Sequence, residues 1–159
     1  MAQVETEWVQ VTTADGEVLD GDLALADEAR AGVVLCHPHP QYGGSRFDRV
    51  ISALTEALPT HGYDALRFDF RRRYGGGIDE RLDAVGALDV LAGRRPGSPL
   101  HLVGYSFGAM VAMGVHDDRI ASHVLIAPPL VGEYTAIAPP VGPTLLLVPE
   151  HDQFCPPGT

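Results

Sequence analysis

Gly104-Tyr105-Ser106-Phe107-Gly108 lies between a short apolar run and a stretch of small residues at helical spacing. The run at 100–103 predicts a buried strand and 107–115 a helix, so the chain must turn from one to the other within the three residues Gly104-Tyr105-Ser106. A turn that tight forces its central residue into a strained backbone conformation, and side chains two positions away on either side collide with the neighbouring elements. Gly104 and Gly108 remove those collisions. The Ser106 hydroxyl is then lifted to a helix N-terminus, where developing negative charge is favoured. Strand, G-x-S-x-G and helix in that order are the setting of a nucleophilic serine. The competing interpretation is a glycine-rich turn capped by a serine.

The rest of the chain supplies the architecture around that turn. Residues 8–13 and 18–24 alternate in polarity about Ala14-Asp15-Gly16-Glu17, which predicts a β-hairpin. Further short apolar runs at 31–36, 63–70, 123–126 and 144–148 predict buried strands. Residues 49–58 carry apolar side chains at helical spacing. So do residues 80–92, with Leu82, Val85, Leu88, Val90 and Leu91 as the expected inward face. Strands alternating with helices read as a mostly parallel sheet with helices on both faces, in one α/β domain over 1–159. Ligands of such sheets sit beyond the carboxyl ends of the strands. That singles out His37-Pro38-His39-Pro40, Asp69, Ser106 and Asp152.

Four of these segments together resemble the α/β-hydrolase family, in its small lidless branch related to dienelactone hydrolases. They are His37-Pro38-His39-Pro40-Gln41-Tyr42-Gly43-Gly44, Leu66-Arg67-Phe68-Asp69-Phe70-Arg71, Gly104 to Gly108, and Pro149-Glu150-His151-Asp152. The resemblance implies a serine hydrolase acting on an ester, thioester or related acyl bond through an acyl-enzyme, with no cofactor and no metal. It implies Ser106 as nucleophile and Asp152 as the acid that orients the base. Glu150 and Asp69 are the rival carboxylates, Asp69 alternatively serving as a structural partner for an arginine such as Arg71. The oxyanion hole would draw one N–H from Phe107 and one from the loop after the third strand. Proline has no N–H, so Pro38 and Pro40 drop out; His39 is the expected donor and Gln41 the second choice. His37 and His39 lack the spacing of a metal pair. Tyr42, Tyr74 and Tyr105 either line the cleft or pack. Arg71-Arg72-Arg73 either draws in an anionic substrate or forms a solvated face.

The family order of nucleophile, acid, histidine leaves a gap. All seven histidines precede Asp152, and residues 153–159 contain none. The expectation is a domain incomplete at its C-terminus, lacking the last helix-strand-helix and with it the histidine. The alternatives are substitution by His39 or His151, and a catalytically inactive binding or interaction module using the same cleft. An unpaired sheet edge in a shortened domain would favour homo-oligomers.

Charge limits the partners. Twenty-one acidic residues face 11 basic ones, all arginine, for a net charge of −10. Nucleic acid and anionic membranes repel such a surface, leaving a small acyl substrate as the expected partner. The acid excess is read as adaptation to high salt in preference to coding bias. The N-terminus shows neither a basic patch nor an apolar core of a secretory signal, so the cytoplasm is expected. Cys36 and Cys155 are read as small buried side chains.

Overall fold

The alternating N-terminal segment folds as an antiparallel hairpin of β1 (Thr6–Thr12) and β2 (Val18–Ala24), registered from Thr6 opposite Ala24 to Thr12 opposite Val18. Thr13 closes its turn: the hydroxyl accepts the Glu17 N–H at 2.9 Å and the carbonyl accepts that of Gly16, which sits at φ 93°. This is a computed structural model, and it describes residues 4–131 and 137–153.

β2 joins β4 (Tyr63–Phe68) antiparallel, and from there the sheet is parallel through β3 (Ala31–Cys36), β5 (Leu100–Tyr105), β6 (Ile120–Ile126) and β7 (Thr144–Leu147). The strand order is β1-β2-β4-β3-β5-β6-β7. One face is covered by α1 (Arg49–Thr60), whose Ile51 packs with Val33, Leu35, Ala65 and Val103. Asp48 caps that helix, accepting the N–H groups of Val50 and Ile51. The other face is covered by α2 (Glu80–Arg94) and α3 (Phe107–Met113); Leu88, Leu91, Ala109 and Met110 meet Val11, Val34, Phe68 and Leu102 there. The α/β-hydrolase fold, with helices on both faces of a mostly parallel sheet, is therefore present.

Three expectations need correction. First, β4 ends at Phe68 and not at residue 70, because past Asp69 the backbone leaves the ladder: the Phe70 N–H donates to the His37 ring and the Arg71 N–H to the Asp83 carboxylate. Second, α2 is rotated from its expected face. Leu82 is exposed and Val85 and Val90 are only partly buried, whereas Glu80 and Asp83 are fully buried. Third, β7 reads as a buried strand but is exposed along its length, with Leu145 at 54%. Among the described residues it lies at the edge of the sheet with only β6 beside it, so its apolar side chains gain no second neighbour there.

Candidate active site

Ser106 stands where β5 meets α3, at φ 54° and ψ −118°. Only Ala127 shares a positive φ among the described residues other than glycine. A side-chain-bearing residue in this region is strained, at a cost of about 1–3 kcal/mol. The surrounding contacts hold it there. The Ser106 N–H donates to the Ile126 carbonyl at 2.8 Å, and its own carbonyl accepts from Ala109 and Met110. Its side chain makes no capping hydrogen bond, and the residue is partly exposed. The capping interpretation thus does not describe this serine.

Both glycines of the turn are sterically required. A Cβ on Gly104 would overlap the Gly108 carbonyl and come within 2.5 Å of the Ala109 Cα. A Cβ on Gly108 would overlap the Cys36 carbonyl oxygen and lie 2.6 Å from that of His37. Gly108 therefore lets α3 press on the carboxyl end of β3, where the His-Pro loop begins.

That loop is stiffened at every step. Pro40–Tyr42 forms one turn of 3-10 helix, Gly43 follows at φ 86°, and Gly44 returns its N–H to the His39 carbonyl at 3.0 Å. A Cβ on Gly44 would lie 2.5 Å from the Pro38 carbonyl carbon, so the loop folds on itself. The Gln41 N–H donates to His39 Nδ1 at 3.2 Å, which occupies the second-choice oxyanion donor. Among the described residues, neither the His39 nor the Phe107 N–H takes part in a backbone hydrogen bond. The rings of His39 and Phe107 meet at 4.7 Å, with Tyr42 and Tyr74 at 4.6 and 4.9 Å from the His39 ring. Tyr105 faces the α1 side of the sheet.

His37 is buried beneath the loop with both ring nitrogens engaged. Nε2 accepts the Phe70 N–H at 3.1 Å, so Nδ1 carries the proton and donates to the Pro38 carbonyl at 2.6 Å. A second proton would have to sit on Nε2, facing another donor. Burial holds the His37 pKa below its ordinary value, and burial does the same for His39, His101 and His123. A histidine kept neutral when folded takes up its proton only on unfolding, so this stability falls as pH drops below about 6.5. The melting temperature is expected to fall between pH 7 and pH 5, and less so in a His37→Gln variant; the same fall in both would contradict a neutral, buried His37. Cys36 is fully buried at the end of β3, and burial pushes its thiol well above the usual range. Cys155 lies outside the described residues.

The carboxylates divide by position. Asp69 accepts the Arg46 N–H at 2.8 Å and pairs with its guanidinium, so its arginine is Arg46. Arg71 instead is buried and forked between Asp83 and Asp15, which removes it from any cationic patch at the cleft; Arg72 and Arg73 are exposed. Asp152 is partly buried in the turn after β7, with Glu150 exposed beside it. The parallel strands put Ser106 and Asp152 at the same end of the sheet, with β6 between β5 and β7. No helix among the described residues is long and apolar enough to cross a membrane.

Comparison with known proteins agrees with this fold. The sequence model of the alpha/beta hydrolase family matches residues 33–158. An uncharacterized protein of Rickettsia prowazekii is 32% identical over 131 residues, which is 77% of this chain and 51% of the relative. The chain thus spans about half the length of that curated relative. Among solved structures, an alpha-beta serine hydrolase homologue from Coxiella burnetii superposes with a TM-score of 0.84 at 27% identity, covering 98% of this chain and 79% of the other. A lidless serine hydrolase from Xanthomonas campestris shares the fold with a TM-score of 0.83 at 24% identity, covering 99% and 77%. An esterase of Pyrococcus furiosus has a TM-score of 0.71 at 28% identity, covering 80% and 53%. From the strained serine between β5 and α3 to the family pattern over residues 33–158, the chain belongs to the alpha/beta hydrolase family.

Proposed function

We propose that the protein hydrolyses an ester, thioester or related acyl bond through an acyl-enzyme on Ser106. The observation that carries this is the positive φ of Ser106 at the strand-helix junction, with its side chain not spent on capping. Ser106 Oγ attacks the acyl carbon while its proton passes to an imidazole. The His39 and Phe107 N–H groups hold the oxyanion, and the leaving group departs with the proton. Water then repeats the sequence on the acyl-enzyme. Asp152 orients the imidazole. The family order of serine, acid, histidine would put that imidazole after Asp152. A serine hydrolase homologue and an esterase among the neighbours support an acyl substrate. The short connection from β6 to β7 favours a small or exposed acyl group.

Full-length protein mixed with a short-chain p-nitrophenyl ester is expected to release a rapid burst of about one equivalent of nitrophenol before steady turnover. Turnover absent at every ester and thioester tried, with ligand still bound in the cleft, would favour the inactive binding module. The exposed apolar β7 edge further supports self-association of the 159-residue chain. Light scattering is expected to show dimers or larger species as concentration rises, and a monomer throughout contradicts this.

A further inference from the structure

α2 buries two carboxylates about one turn apart, on a face rotated from the leucine and valine stripe that its hydropathy predicts. Glu80 is 0% exposed, and each of its oxygens accepts one N–H from the loop that precedes the helix: Oε1 from Gly75 at 2.7 Å and Oε2 from Gly77 at 2.8 Å. Asp83, also 0% exposed, takes the other end of the same loop, accepting the Arg71 N–H at 2.9 Å and its guanidinium at 2.7 and 3.0 Å. Burying a carboxylate is costly unless its oxygens are satisfied, and an apolar pair would close the core at less cost. The two acids therefore act on the loop. Gly77 lies over the Met110 side chain of α3, so the loop is gripped from α2 and seated on the helix that begins at Phe107. Between the two anchors stands Tyr74, whose ring is 4.9 Å from that of His39 and 6.0 Å from that of Phe107.

We propose that Glu80 is a positioning residue of the hydrolase site, acting through Tyr74 to hold the His39 segment against Phe107 so that their two N–H groups converge. The proposal rests on the acyl-hydrolase function above. A bidentate acceptor is needed because both N–H groups lie on one short stretch with two glycines at positive φ, Gly76 and Gly77. Such a stretch has no conformational preference of its own strong enough to hold Tyr74 in place.

The test uses Glu80→Gln, Tyr74→Ala and the double variant of the full-length protein. In Glu80→Gln one acceptor oxygen becomes a donor facing an N–H. kcat is expected to fall about 10- to 100-fold with KM little changed. Tyr74→Ala should reproduce the fall without touching the buried acid, and the double variant should be no worse than either alone. Losses that multiply would mean that Glu80 does not act through Tyr74, and would overturn the proposal. A fall in melting temperature with kcat intact would overturn it as well. Proton NMR separates this outcome from failure of the hydrolase function: the ring contact between Tyr74 and His39 is expected in the wild type and lost in Glu80→Gln. Persistence of that contact overturns the proposal whatever the activity. A wild type that shows the contact but hydrolyses nothing overturns the hydrolase function instead. If Glu80→Gln does not fold, full activity in Tyr74→Ala suffices to refute the proposal.

Discussion

Replacing Ser106 with glycine is expected to make the protein more stable than replacing it with alanine while both variants lose activity. At φ 54° a Cβ is strained, and glycine is not. Ser106→Gly should exceed Ser106→Ala by about 1 kcal/mol in urea unfolding, the cost of a left-handed conformation for an alanine. Both lack the attacking hydroxyl, and kcat should fall by about 10⁴-fold or more. The pairing matters because it separates strain from chemistry. A serine placed by ordinary packing would show no difference between glycine and alanine, and a serine outside the reaction would leave kcat unchanged.

The second large effect is expected at Gly108. A methyl group there meets backbone on the β3 side, the Cys36 and His37 carbonyls, which cannot swing aside as a flexible side chain would. Gly108→Ala must either push α3 off the sheet or bend the start of the His-Pro loop. The expected loss is about 3 kcal/mol or more. Because the same displacement pulls Phe107 from His39, the folded fraction should also lose activity. A loss under about 1 kcal/mol would mean that α3 does not press on β3 as described.

The turn at Ser106 was legible because its geometry dictates residue types locally: a strained centre and two glycines leave a mark in five consecutive positions. The hairpin and the parallel strands were legible for a similar reason, since their periodicity is a property of neighbours. The face of α2 was not. Glu80 and Asp83 look solvent-facing in the sequence because burial of an acid depends on partners elsewhere, here loop N–H groups and Arg71. Asp69 illustrates the same limit: Arg71 is closer in sequence, but Arg46 reaches it from the His-Pro loop. β7 shows the reverse failure. Leu145, Leu146 and Leu147 carry the pattern of a buried strand, yet exposure is decided by what lies beside and over it. Proline chemistry removes only Pro38 and Pro40, and His39 is preferred for its place in the middle of the loop; the hydrogen bond from Gln41 N–H to His39 Nδ1 adds a reason that no sequence pattern carries.

The central claim is that the hydroxyl of residue 106 is a nucleophile in a cleft supplied with two free amide protons. Reaction of the full-length protein with a fluorophosphonate, followed by peptide mass mapping, tests it most directly. The phosphonyl group should be found on the peptide containing Ser106 and nowhere else, and Ser106→Ala should remain unmodified. Modification at another residue, or none in an enzyme that turns over esters, would contradict the account.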